Sequence, residues 1–247
     1  VLKAFDSGRL FGAVHGSGPA RVLALHGWRR TSADFDATLS GLDAIAVDLP
    51  GFGASPPPPE PWGSVEYAAA LDPLLDDGRG PLVVLGHSFG GRVAVRLAVR
   101  RPDAVSALVL TGVPLLRTAP ARNAPAAFRA ARWLHRRGVL PDARMEALRQ
   151  RHGSADYRAA TGVMRDVFVR LVNEQYEDDL RALACPVELV WGDDDTEAPL
   201  AVAQAAAERI SDAKLTVIPG AGHLTPLTIP GDLRAALDRA ATRAQAR

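Results

Sequence analysis

Ser88 stands between glycines in Gly86-His87-Ser88-Phe89-Gly90-Gly91, and a histidine, His223, follows Gly220-Ala221-Gly222. Between them lie four carboxylates within five residues, Asp193, Asp194, Asp195 and Glu197. A serine hydroxyl is a weak nucleophile at neutral pH. It needs a base within hydrogen-bond reach, and the base needs an acid that fixes its tautomer and stabilises the imidazolium. The chain contains all three types in the order serine, acid, histidine, which would allow Ser88 to attack an electrophilic carbon while His223 carries the proton.

Such groups must be held by rigid elements. Leu82-Val83-Val84-Leu85 is a continuous apolar run of the kind that fills a buried parallel strand, and Arg92 to Arg101 reads as a helix. A strand that turns into a helix within so few residues needs small neighbours, which Gly86 and Gly90 supply. Ser88 is then expected at the apex, at a helix N-terminus whose free N–H groups favour a developing oxyanion.

Arg21 to Leu25 reads as a second buried strand running into His26-Gly27-Trp28. The backbone N–H groups of Trp28 and Phe89 are the expected oxyanion donors. Pro186 to Trp191 is a further strand, followed by the acidic turn. Asp195 is the expected acid, because the turn must complete before a side chain can face back toward His223; Asp193, Asp194 and Glu197 remain alternatives. His223 follows the last strand, Leu215 to Ile218, at the edge where a parallel sheet places its ligand crevice. Of the other histidines, His26 and His87 are expected to shape the site, and His15, His135 and His152 to lie at the surface.

The remaining elements alternate. Leu2 to Val14 suggests a hairpin, and Asp43 to Val47 and Ala104 to Thr111 read as strands. Asp34 to Leu39, Leu200 to Ile210 and Asp232 to Arg243 read as helices, as does Ser64 to Leu75 with Ser64 as its N-cap. Asp48 to Ser55 is glycine-rich but lacks the Gly-Lys-Ser/Thr ending of a phosphate loop. From Leu115 to Asp179 the alternation stops, and a stretch rich in alanine and arginine reads as helices alone. The expected organisation is a core of residues 1–114 and 180–247 with a helical cap, 115–179, inserted between two strands.

With 29 basic and 28 acidic residues, the chain has no global field to attract nucleic acid or an anionic membrane. No apolar stretch is long enough to span a bilayer and no signal-peptide pattern is present, so a cytoplasmic location is expected. Cys185 is the single cysteine, which precludes an internal disulfide, and it is expected to be buried. The six histidines show no metal-ligand spacing, so neither a metal nor another cofactor is expected. The partner is expected to be a small-molecule substrate, with monomer and homodimer both open.

The motifs HGW, DLPGFGAS, GHSFGG, WGDDD and GAGH resemble those of the α/β-hydrolase superfamily across nearly the whole chain except the cap. The resemblance implies an α/β fold with a mostly parallel, eight-stranded sheet flanked by helices, and a variable cap that sets substrate choice. It implies Ser88 as nucleophile, His223 as base, Asp195 as acid, and Trp28 and Phe89 N–H as the oxyanion hole. Serine at the elbow argues against the relatives that use aspartate there.

The leading expectation is a cofactor-independent serine carboxylesterase acting on small to medium esters through an acyl-enzyme. Phe128, Trp133, Met164, Phe168 and Leu224 are candidates for an apolar substrate pocket. Arg92, with thirteen arginines against eight acidic residues between Leu115 and Arg181, motivates an alternative: C–C hydrolysis or elimination on an anionic substrate. A low-turnover ligand receptor is the third reading, opposed by the complete set of three residues.

Overall fold

The apolar runs bounded by turn residues become strands. In a computed structural model that describes residues 1–76, 80–116, 126–152 and 154–246, these are β1 (Leu2–Phe5), β2 (Leu10–His15), β3 (Val22–Leu25), β4 (Ala44–Asp48), β5 (Leu82–His87), β6 (Val105–Thr111), β7 (Val187–Gly192) and β8 (Ala213–Ile218). They form one eight-stranded sheet in the order β1-β2-β4-β3-β5-β6-β7-β8. The β1–β2 hairpin and the β2–β4 pairing are antiparallel, and all other pairings are parallel.

The strands β3, β4, β5 and β7 are buried along their whole length, as expected where helices cover both faces. Alternate residues divide between two cores. Leu23, Leu25, Val47, Val84 and Leu189 face the layer that contains the helix Phe89–Arg100, while Ala24, Ala46, Val83, Leu85 and Val190 face the C-terminal helix Pro230–Gln245. Glu188 also points to that second layer. Its carboxylate is fully buried and accepts from Arg239 Nε at 2.9 Å and Arg243 Nη1 at 2.7 Å, which compensates its loss of water.

Register fixes what lies at the upper edge. Leu25 pairs with Gly86, His87 with Thr111, and Gly192 with Ile218. The segments leaving these strands, which carry Trp28, Ser88, Asp195 and His223, therefore leave the sheet on the same side.

Between β6 and β7 the described residues form five helices, Ala126–Arg136, Asp142–His152, Ala155–Ala159, Gly162–Leu171 and Glu177–Ala182, and no strand. The last of them continues past residue 179. Three local expectations are corrected. Ser64 is the first residue inside its helix, and Gly63 is the cap, its N–H donating to Glu66 Oε2 at 2.9 Å. That helix ends at Ala69, and a separate turn of helix, Asp72–Leu75, begins with Pro73 in its first turn. Cys185 is half-buried against the core and not enclosed by it.

The elbow helix reaches the sheet only because two residues of its first turn, Gly90 and Gly91, lack side chains. A Cβ at Gly90 would collide with the Leu25 carbonyl, and one at Gly91 with Val113. Both obstacles are on packed elements that cannot yield cheaply. Gly90→Ala is expected to lower unfolding free energy by about 2 kcal/mol, read as a lower urea midpoint; an unchanged midpoint would contradict this packing.

Candidate active site

Ser88 occupies the sharp turn between β5 and the helix Phe89–Arg100 with φ 49° and ψ −113°, a backbone conformation that non-glycine residues rarely adopt. Its N–H donates to Thr111 O at 3.0 Å, and its carbonyl accepts from Gly91 N–H at 3.1 Å, so both sides of the turn are tied down. Phe89 opens the helix, and its N–H has no carbonyl one turn back to donate to.

The second proposed donor is brought alongside by the loop after β3. Gly90 N–H donates to His26 O at 3.0 Å, joining that loop to the elbow. His26 is fully buried; its Nε2 accepts from Leu49 N–H at 2.9 Å, so the proton sits on Nδ1, which donates to Gly27 O at 2.7 Å. Burial holds this imidazole below its ordinary pKa, consistent with a neutral structural role.

His223 Nε2 lies 3.1 Å from Ser88 Oγ, and its Nδ1 lies 2.9 Å from Asp195 Oδ2. Asp195 Oδ1 accepts from the N–H groups of Glu197 at 2.9 Å and Ala198 at 2.8 Å, which fixes the carboxylate in the turn. The His223 carbonyl accepts from Thr225 N–H at 2.9 Å and from His87 Nε2 at 2.9 Å. Thr225 is anchored in turn by Thr111 Oγ1, which donates to Thr225 Oγ1 at 2.8 Å. The ring of His223 is thus placed by contacts reaching back to β5 and β6. Asp193 and Asp194 are not in this line: Asp193 accepts from Gly220 N–H, and Asp194 N–H donates to Ala221 O.

Burial opposes charge on both partners. For Asp195 it would raise the pKa, but the hydrogen bonds from His223, Ala198 and Glu197 outweigh it and bring the carboxyl below its ordinary value. For His223 burial would lower the pKa, but the Asp195 hydrogen bond and charge, with smaller help from Glu197 and Asp156, raise it. His87, 1% exposed, is pushed down to about 4 by burial and by the neighbouring His223.

Two cavities meet at Ser88 and His223. The first, about 130 Å³, is walled by Trp28, Phe89, Pro114, Phe168, Leu171 and Val172, with Arg92, Asp156 and Glu197 also on its boundary. Trp28 is wedged among aromatic rings, with Phe52, Phe168 and Phe89 centroids at 4.9, 5.2 and 5.6 Å. The second, about 310 Å³, is more polar and adds Gly27, Arg29, Arg30, His87 and Leu224.

Of the residues expected in the pocket, Phe168 and Leu224 line these cavities. Trp133 does not: its ring is 47% exposed, with the Arg137 guanidinium 4.1 Å from its centroid, an arrangement that stabilises an exposed indole. Met164 packs on the core, its thioether filling the space beside Gly51. The Phe128 side chain lies outside the described residues. Arg92 borders the first cavity, but its Nη1 and Nη2 donate to the carbonyls of Leu171 and Pro114, each at 3.0 Å, so it binds backbone at the site wall. Sequence reasoning missed Asp156, Leu171, Val172 and Arg29, which carry no local motif and arrive only through folding.

A family model described as the alpha/beta hydrolase family matches residues 22–236. The chain is 48% identical over 102 residues to a lipase, LipV, of Mycobacterium tuberculosis, a match covering 38% of this chain and 37% of the lipase. Matches to pimeloyl-(acyl-carrier protein) methyl ester esterases of Neisseria meningitidis likewise span little more than a third of those proteins. The Chromobacterium violaceum protein of the same name is 31% identical over 260 residues, covering 92% of this chain and 96% of that one. Among solved structures, a malate-bound thermophilic esterase from Thermogutta terrifontis superposes with a TM-score of 0.68 at 24% identity, covering 99% and 98% of the two chains.

The geometry predicts a pH signature. If neutral His223 accepts the serine proton, kcat/KM falls as pH drops through a His223 pKa lying above the ordinary imidazole value. Asp195→Asn removes the charge that raises it, so the acid limb is expected to move to lower pH while kcat falls by about 10⁴. A limb that stays in place in the variant would show that Asp195 does not govern His223.

Proposed function

The chain belongs to the alpha/beta hydrolase family, and from that membership and the geometry of its site we propose that it is a serine hydrolase of small to medium carboxylic esters. The observation that carries this reading is the continuous contact from Ser88 Oγ through His223 to Asp195, at 3.1 and 2.9 Å, beside a largely apolar cavity. The methyl ester esterase that matches over nearly its whole length supports a carboxylic ester as the substrate class.

In the proposed reaction Ser88 Oγ attacks the ester carbonyl as His223 Nε2 takes its proton. The carbonyl oxygen becomes an oxyanion held by Trp28 N–H and Phe89 N–H. Collapse of the tetrahedral adduct passes the Nε2 proton to the departing alcohol and leaves an acyl-serine. Water, deprotonated by the same nitrogen, attacks the acyl carbon; the second adduct expels Ser88 as the proton returns to it.

Residues 115–179 serve in this reading as a cap over a core of 1–114 and 180–247. Phe168 and Asp156, which border the cavities, support a part for the cap in substrate choice. The neutral composition supports a small-molecule substrate over nucleic acid or an anionic lipid surface. No helix among the described residues is long and apolar enough to cross a membrane. Cytoplasmic action is proposed with the rest, supported by a composition with one cysteine.

Nitrophenol release from an acyl series running from acetyl to dodecanoyl tests the reading, with Ser88→Ala as the control. Short acyl chains are expected to be turned over best, because the apolar cavity is small. Ser88→Ala is expected to lower kcat by on the order of 10⁴ to 10⁶ without unfolding the protein. Release that persists in Ser88→Ala would remove Ser88 from the mechanism.

A further inference from the structure

Glu197 sits beside the nitrogen of His223 that faces Ser88. Its Oε2 lies 3.4 Å from His223 Nε2, the nitrogen that faces Ser88 Oγ. It borders both cavities. Its backbone N–H is fixed on Asp195 Oδ1, so the residue is anchored while its side chain, 66% exposed, extends into the opening.

The other charges facing this region are engaged elsewhere. Arg30 is bound to Asp34 through two nitrogens at 2.6 and 2.7 Å, Asp156 is paired with Arg29 at 3.5 Å, and Asp195 is enclosed beneath the His223 ring. Glu197 forms no ion pair with an arginine or lysine among the described residues, and its ionic partner there is His223 itself. His87 Nε2 donates to His223 O, which leaves Nδ1 as a lone pair, and this buried atom has no described partner.

We propose that Glu197 is a specificity-determining residue that favours esters whose alcohol portion carries a positive charge. The inference rests on the serine-hydrolase reading. To receive its proton the alcohol oxygen must come within about 3 Å of His223 Nε2, which places it no more than about 6 Å from Glu197 Oε2. An ammonium group two carbons along the alcohol falls within Coulombic reach of that carboxylate, and an anionic group at the same place is repelled. At an exposed site, solvent screening limits the effect to roughly threefold.

The test is kcat/KM for butyrylcholine against its uncharged isostere 3,3-dimethylbutyl butyrate, which share acyl group and shape. The native chain is expected to prefer the choline ester about threefold, and Glu197→Gln to bring the ratio near unity. Equal values in the native chain, or a preference that survives Glu197→Gln, would overturn the inference while leaving the hydrolase reading intact. Absence of Ser88-dependent turnover of both esters would overturn both.

Discussion

The site depends on one strained turn. Ser88 can hold a positive φ only because both neighbouring strand ends and the helix it opens fix its backbone, and because the glycines after it allow the helix to press against β3. Strain of this kind costs free energy and persists only where surrounding packing over-determines it. The same close approach brings the loop bearing Trp28 to the elbow, through the hydrogen bond between Gly90 and His26. The proposed nucleophile and the proposed oxyanion donors therefore depend on a single packing arrangement.

Around that turn the electrostatics are arranged by burial. Asp195 is nearly enclosed, which would favour its neutral acid, yet two backbone N–H groups and His223 keep the charged form favourable. His223 gains basicity from that carboxylate, whereas His26 and His87, buried without one in contact, lose it. Three histidines near one serine thus take different protonation behaviour from their surroundings alone. A compact set of residues can supply a base and rigid neutral supports without further chemistry.

The arginine-rich composition has a structural explanation at several positions. Arg239 and Arg243 balance Glu188 in the second core, Arg96 pairs with Asp179, and Arg170 with Glu66 across the boundary between core and inserted helices. Arg92 holds the carbonyls of Pro114 and Leu171 where the inserted segment meets the elbow helix. These contacts weaken the case for an anionic substrate that composition had raised.

The sequence by itself determined the strands, the elbow and the order of Ser88, Asp195 and His223. Each depends on local pattern: apolar runs for buried strands, glycines at a tight turn, and polar residues just past strand ends. It also favoured Asp195 among four carboxylates, because turn geometry is a short-range property. Tertiary structure alone decided what surrounds them. Trp133 and Met164 look alike as apolar residues of the helical segment between β6 and β7, yet one is exposed beneath Arg137 and the other packs beside Gly51. Asp156 and Leu171 reach the cavities, and Glu197 reaches the second nitrogen of His223, through contacts between segments distant in the chain or through side-chain direction. Periodicity records which face of a helix is apolar but not what that face meets, so the lining of the site had to wait for the fold.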